Sequence, residues 1–265
     1  MMLQITNVCK TFNPGTINEK KALVDLNLHL NPGDFVTIIG GNGAGKSTLL
    51  NMIAGVYPVD SGSIVLQDKD LTHIPEHKRA RYIGRGFQDP LMGTAAGMEL
   101  VENLALALRR GKTRNLSWGV KKEERTKYAE LLSGLDLGLE DRLSVKVGLL
   151  SGGQRQAITL LMATLKKPGL LLLDEHTAAL DPKTAERVLE ITEKVISKDS
   201  LTTIMITHNM HHAISMGNRL IMMMDGEIIY DISGEEKRKL QVKDLLDRFE
   251  SSSGKEFAND RVLLS

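Results

Sequence analysis

The 265-residue chain is short of several things, and each shortage narrows what it can be. It has one cysteine, Cys9, which excludes an internal disulfide and a multi-cysteine zinc site and suits a reducing compartment. It has almost no net charge. Its 34 Lys and Arg stand against 33 Asp and Glu, a formal +1, so nothing in the overall balance attracts nucleic acid. Long apolar runs are missing too. The longest, such as Leu170-Leu171-Leu172-Leu173 and Leu220-Ile221-Met222-Met223-Met224, fall far below the roughly 20 residues that span a bilayer. A soluble chain is expected, with any membrane spanning left to another chain. Met1-Met2-Leu3-Gln4-Ile5 lacks a charged segment followed by an apolar one, so no signal peptide is expected. There is no internal repeat. The length suits one large domain or two small ones. The twelve methionines lie largely in apolar runs, where gap-filling in a core is their default role.

What is present centres on Gly40-Gly41-Asn42-Gly43-Ala44-Gly45-Lys46-Ser47, which fits the phosphate-loop spacing of Gly, four residues, Gly, Lys, Ser/Thr. Phe35-Val36-Thr37-Ile38-Ile39 before it is an apolar, β-branched run that predicts a buried strand. Thr48-Leu49-Leu50-Asn51-Met52-Ile53-Ala54 after it has helical spacing. A strand thus turns through glycines into a helix N-terminus, where backbone N–H groups and the helix dipole favour an anion. Lys46 can reach β- and γ-phosphates, and the Ser47 hydroxyl can ligate Mg²⁺. The plain alternative is a Gly-rich turn with a chance lysine.

Leu3-Gln4-Ile5-Thr6-Asn7-Val8 alternates as a half-buried strand does, and Lys10-Thr11-Phe12-Asn13-Pro14-Gly15 reads as a turn. Residues 23–30 alternate again, which predicts an antiparallel sheet ahead of the loop strand. Phe12 at the rim of that sheet suits core packing and stacking on a purine ring equally. Residues 63–66 and 83–87 read as strands, the second weakened by Gly84 and Gly86, with Gln88 just beyond. From Leu91 to Leu150 the pattern turns helical, with Leu100, Leu104 and Leu108 in one helix and Tyr128, Leu131, Leu132 and Leu135 in another. Between them, Arg109-Arg110-Gly111-Lys112-Thr113-Arg114 is either a solvated loop or a contact with a membrane surface or partner.

Leu150-Ser151-Gly152-Gly153-Gln154 precedes an apolar helix expected over 157–165, a second anion-ready N-terminus that is also an ordinary capped turn. Leu170 to Leu173 form an apolar strand that ends in Asp174-Glu175. Two adjacent carboxylates at a buried strand end repel each other, and a cation such as Mg²⁺ at Asp174 would relieve this. Asp181-Pro182 opens a helix that runs to about Lys198. A β-branched strand over 202–207 ends at His208, which is either structural or a phosphate ligand. A hairpin around Asp225-Gly226, two short helices (234–239 and 242–249) and a mobile tail from Ser251 complete the expected order.

Taken together, residues 40–47, Gln88, 150–154, 170–175, Asp181 and His208 resemble, in that order, the nucleotide-binding subunit of the ABC (ATP-binding cassette) transporter family. The Leu-Ser-Gly-Gly-Gln pentapeptide makes the resemblance specific. It implies an α/β fold, a P-loop NTPase (RecA-like) mixed-sheet core with an antiparallel β subdomain and an inserted α-helical subdomain. The expected organisation is a single cassette: 1–90 and 151–231 as core and β subdomain, 91–150 as helical subdomain, 232–265 as C-terminal extension and tail.

The resemblance also implies roles. Phe12 would stack on adenine, and Gly40, Asn42, Gly43, Ala44, Gly45, Lys46, Ser47 and Thr48 would bind ATP. Ser47, Gln88 and Asp174 would hold Mg²⁺, Glu175 would activate the attacking water, His208 would bind the γ-phosphate, and Gln88 would relay nucleotide state. Ser151, Gly152, Gly153 and Gln154 would grip ATP held by a second ATP-binding subunit, most simply another copy, in a head-to-tail dimer. Asp181 would link the two sites. Other implied partners are transmembrane permease subunits and an extracytoplasmic solute-binding protein. The implied place is the cytoplasmic face of the cell membrane, bound peripherally. The chain departs from the family at Gly86, where a bulkier strand residue is usual, leaving strand order there open, and at His176-Thr177-Ala178-Ala179-Leu180, where Pro-Thr-Ser-Ala-Leu is common. Together, 176–182 and 231–237 look like ATPase subunits of bacterial importers for tryptophan and tyrosine. An exporter motor would read the same way. A soluble ABC ATPase acting on ribosomes or DNA would usually carry two cassettes or a long coiled-coil insertion, and this insertion is short.

Overall fold

The computed structural model describes residues 1–89, 91–112 and 119–253. They form two compact units, one from Met1–Arg79 with the chain from Ser200 onward, the other Ala80–Asp199.

The first unit opens with β1 (Leu3–Phe12) and β2 (Lys20–Leu30), followed by β3 (Phe35–Gly40), α1 (Lys46–Ala54), β4 (Ser61–Leu66), β5 (Lys69–Asp70) and α2 (Glu76–Arg79). The alternation that predicts a half-buried β1 is present: Leu3, Ile5 and Val8 are buried, Gln4 is exposed. The strand continues through Lys10, Thr11 and Phe12, so the turn expected there begins only at Asn13. The cause is a pair of bulges. Asn7 (φ 48°) and Asp25 (φ 42°) take left-handed backbone and shift the β1–β2 register, and the Asn7 N–H is satisfied by Asn27 Oδ1 at 2.9 Å. Strand order is β2-β1-β4-β5, antiparallel throughout.

The second unit holds β6 (Ile83–Gly86), α3 (Leu100–Leu108), α4 (Lys122–Ser133), α5 (Gly152–Thr164), β7 (Leu170–Asp174) and α6 (Pro182–Asp199). β6 runs parallel to β7, pairing Ile83 with Leu170 and Gly86 with Leu173, which settles the pairing that Gly86 left open. A Cβ on Gly86 would come within 2.8 Å of Leu173 Cδ2, and one on Gly84 within 2.7 Å of the Ala163 carbonyl. The glycines that weaken the strand signal are there because the neighbouring elements lie so close. Helix α5 starts at Gly152, not at Ala157, because Ser151 and Gln154 form a capping box ahead of the two glycines.

The chain returns to the first unit with β8 (Thr203–Ile206), α7 (Met210–Ser215), β9 (Arg219–Met224), β10 (Glu227–Ser233), α8 (Gly234–Arg238) and α9 (Val242–Ser253). Here β3 lies between β8 and β9, parallel to both, and β10 is antiparallel to β9. This is the mixed sheet expected. Flanked on both edges, β3 is buried at every residue, and its one hydroxyl, Thr37 Oγ1, donates to the Ala213 carbonyl at 2.8 Å. Met210 and Met222 fill the core between β9, α7 and α9, with Leu245 and Phe249. Ser251 and Ser253 belong to α9; the tail expected from Ser251 lies, from residue 254, outside the described residues. Among the described residues, no helix is long and apolar enough to cross a membrane.

Candidate functional site

In the first unit the phosphate loop joins β3 to α1. Gly45 occupies the N-cap of α1 at φ 97°, and a Cβ there would stand 2.4 Å from the Ala22 carbonyl. At Gly40 it would stand 2.3 Å from the Met223 carbonyl. Only glycine fits either place, so the loop is packed onto β2 and β9. Backbone bonds secure it: Gly226 N–H to the Ala44 carbonyl and Val24 N–H to the Gly226 carbonyl, both 3.1 Å. No side chain caps α1, which leaves its N-terminus an anion-favouring end. Lys46 is buried, and its Nζ donates to the Gly40 and Gly41 carbonyls at 2.7 and 3.0 Å. A cation is thus fixed beneath the loop, while Asn42, Gly43 and Ser47 are exposed and Thr48 is half-buried in the first turn.

Phe12 is half-buried at the end of β1, edge-on to Tyr57 with ring centroids 5.2 Å apart and planes at 81°. The Asp60 carboxylate fixes this corner, accepting from Lys10 Nζ and the Thr11 N–H, both at 2.6 Å. Burial raises the Asp60 pKa, but these two donors outweigh it and hold the carboxyl below the usual range. His208 is half-buried two residues beyond β8.

The second unit carries the other predicted residues. Asp174 ends β7, after four leucines of 0% exposure, and is half-buried. Glu175 follows at φ 45°, a left-handed backbone uncommon for a residue with a Cβ, closed by the Ala178 N–H donating to the Glu175 carbonyl at 3.0 Å. Asp181 is exposed and caps α6, its Oδ1 accepting the Thr184 N–H at 3.1 Å; the Thr184 bonds hold its carboxyl below the usual range. Gln88 is exposed two residues beyond β6. Ser151 Oγ accepts the Gln154 N–H at 3.3 Å and Gln154 Oε1 accepts the Ser151 N–H at 3.2 Å, so both pentapeptide side chains cap α5. Gly152 follows half-buried, and Gly153 is buried against α6, where a Cβ would meet Thr184 Cγ2 at 2.2 Å. Its lack of a side chain therefore has a packing cause.

A phosphate loop and a capped Ser-Gly-Gly-Gln helix start on one chain are what a nucleotide-driven cassette needs, and the comparisons decide which kind. The description "ABC transporter" belongs to the family pattern that matches residues 23–178. The chain belongs to the ABC transporter family. Over 250 residues it is 45% identical to the tyrosine transport ATP-binding protein of Clostridioides difficile, covering 94% of this chain and 99% of that one. It is 34% identical over 235 residues to the spermidine/putrescine import ATP-binding protein PotA of Haemophilus influenzae, 89% of this chain but only 59% of that protein's length. A dimeric ATP-binding cassette in a post-hydrolysis state, bound to ADP and Pi, matches with TM-score 0.74 at 30% identity over 88% of this chain and 98% of that one. An ABC transporter cassette in its ADP conformation matches with TM-score 0.76 at 29% identity over 94% and 98%. The chain is an ATP-binding ABC ATPase with the P-loop fold of that family.

Three features of this ABC ATPase escape sequence reasoning. Lys20 Nζ lies over the loop, 2.7 Å from where a Gly43 Cβ would be, a second amine beside the phosphate cradle. Arg79, 2% exposed, donates to the carbonyls of Met52, Ile53, Thr72 and Ile74 and so caps the far end of α1; burial lowers its pKa, partly offset by Asp70. Gln156 Nε2 donates to the Phe87 carbonyl at 3.1 Å, tying α5 to the residue before Gln88. Apart from the Arg79 bonds to Thr72 and Ile74 the partners lie far apart in sequence, and no local pattern announces any of them. The basic cluster is corrected by the same logic. Arg109 binds both Glu124 oxygens at 3.0 Å, and Arg110 donates to the Ala163 and Lys166 carbonyls at the end of α5, so neither belongs to a freely solvated loop. Thr113 and Arg114 lie outside the described residues.

Proposed function

We propose that this ABC ATPase drives the import of a small solute, an aromatic amino acid of the tyrosine type, through a separate membrane permease fed by an extracytoplasmic solute-binding protein. The observation that carries the reading is the end-to-end match to the tyrosine transport ATP-binding protein. Similarity to a polyamine importer's ATPase supports import more generally. We read residues 1–265 as one cassette, working at the cytoplasmic face of the membrane in a head-to-tail pair.

In that pair residues 40–48 hold the phosphates of one ATP, Phe12 takes the adenine, and Lys46 neutralises phosphate charge. The partner copy's pentapeptide closes over the γ-phosphate, and Asp181 signals between the sites. Ser47, Gln88 and Asp174 would hold Mg²⁺; a hydroxyl, an amide oxygen and a carboxylate are the hard oxygen donors that ion prefers. The ion supplies charge neutralisation on the phosphates. Glu175 orients and deprotonates water, and His208 contacts the γ-phosphate, so that positioning and electrostatics carry the phosphoryl transfer. Exposed Leu91 and Met92, shortly after Gln88, offer an apolar contact for the permease.

The test is to isolate the intact complex, identify its other subunits, and measure labelled tyrosine and tryptophan movement in ATP-loaded vesicles. ATP-dependent uptake supports the reading. ATP-dependent efflux, or recovery with ribosomes and no permease, refutes it.

A further inference from the structure

We infer that the buried pair His176–Thr192 is a positioning device for Glu175, setting how fast bound ATP is hydrolysed and not how tightly it binds. The inference rests on Glu175 acting as the base. Its starting point is the backbone at Glu175, φ 45°, which a residue with a Cβ keeps only when its neighbours hold it there. On one side the hold is obvious, because Leu170 to Leu173 are completely buried. On the other side the Ala178 N–H closes the turn on the Glu175 carbonyl at 3.0 Å, and a buried side chain ties the turn to α6. His176 is 3% exposed, and its Nε2 lies 3.0 Å from Thr192 Oγ1.

The Thr192 hydroxyl has a second partner. Thr192 is 0% exposed, and its hydroxyl donates to the Val188 carbonyl at 2.8 Å within α6. A hydroxyl has one proton, so while it is given to Val188 the His176 tautomer protonated at Nε2 is the one that donates to Thr192 Oγ1. The contact orients the ring against α6. The residue after Glu175 is therefore fastened to α6.

The same helix is the seat of two more predicted elements. Asp181 caps its start, and Gly153 packs on Thr184 one turn in. The Glu175 turn and the pentapeptide glycine share one rigid body as their reference. A small shift of Glu175 relative to α6 would misplace the carboxylate against the attacking water while leaving the phosphate loop, in the other unit, unaltered.

The experiment uses the full chain with ATP and Mg²⁺. Thr192→Val removes the acceptor at constant volume, and His176→Phe keeps a ring without the N–H. Both are expected to lower kcat about tenfold or more, the scale on which small misplacements act, with KM and ATP affinity unchanged. Thr192→Ser and His176→Gln, which retain an acceptor and a donor, should recover most of the loss. Unchanged kcat in the first two variants overturns the inference, as does a fall in kcat matched by an equal loss of ATP binding. So does failure of both conservative variants to recover rate. Glu175→Gln run alongside separates the two levels. Normal turnover there removes the base assignment itself, whatever the His176 variants do.

Discussion

Replacing Arg79 with methionine tests how the phosphate-loop helix is held. The guanidinium makes four bonds: Nε to the Ile74 carbonyl at 2.6 Å, Nη1 to Met52 and Ile53 at 2.7 and 2.8 Å, and Nη2 to Thr72 at 3.2 Å. Methionine fills much of the volume and donates nothing. The Met52 carbonyl keeps a second donor, the Gly55 N–H at 3.1 Å, so its loss is the mildest. At about 1 kcal/mol for each of the other three, and somewhat more because the donor is charged, the gross loss is about 4 kcal/mol. Relief from burying a guanidinium returns part of that, leaving a net cost of about 3 kcal/mol. Urea unfolding of the full chain should show a lowered midpoint at unchanged slope. ATP binding at low denaturant should fall much less, because the cradle sits at the opposite end of α1. A midpoint shift equivalent to less than about 1 kcal/mol would refute the reasoning, since water would then be satisfying those carbonyls as well as arginine does. Arg79→Lys should recover only a fraction, because one ammonium cannot reach a fork of four acceptors.

Lys46→Ala is expected to abolish ATP binding in a fluorescent-nucleotide titration, since the phosphates lose their fixed counter-ion; retained tight binding would remove the phosphate-loop assignment. Glu175→Gln should bind ATP, hydrolyse it very slowly and accumulate as a dimer in gel filtration, and normal turnover would place the base elsewhere. Lys237, 2% exposed, donates to the Met216 and Gly217 carbonyls, and burial depresses its pKa to about 8. The unfolded chain then holds this proton up to about pH 10.5 and the folded one only to about 8, so this residue's contribution makes stability rise with pH across that window. The rise is bounded at about 3 kcal/mol. Urea midpoints measured from pH 7.5 to 10.5 should show this rise in the native chain and lose it in Lys237→Met; parallel curves would exclude it.

Legibility in the sequence followed the range of the interaction. Strand β3 is apolar but for Thr37 and Gly40, and β7 is apolar up to Asp174, and such buried runs need no knowledge of the partner strand. The start of α6 is written locally, with Asp181 capping and Pro182 at the first turn. The glycines of the phosphate loop are legible for the same reason. Harder were features made by distant residues. β1 reaches Phe12 because Asn7 and Asp25 bulge together, a match between two strands that neither displays alone. Helix α7 hid because Met210-His211-His212-Ala213-Ile214-Ser215 is too short to show a helical period, and only Thr207, His208 and Asn209 separate it from β8. Arg109 and Arg110 looked like solvent charges until their acceptors, on α4 and at the end of α5, were in place.

Buried arginine and lysine have an electrostatic consequence of their own. Arg79 and Lys237 point their charged groups at backbone carbonyls inside the first unit. A formal charge of +1 counts both of them. Hydrogen bonding to neutral carbonyls leaves both charges in place, so a polyanion approaching from a distance meets a nearly neutral molecule. Attraction begins only within the last few ångströms, where Lys46, Lys20 and the start of α1 converge. With so little long-range field for added salt to screen, nucleotide association should depend only shallowly on ionic strength.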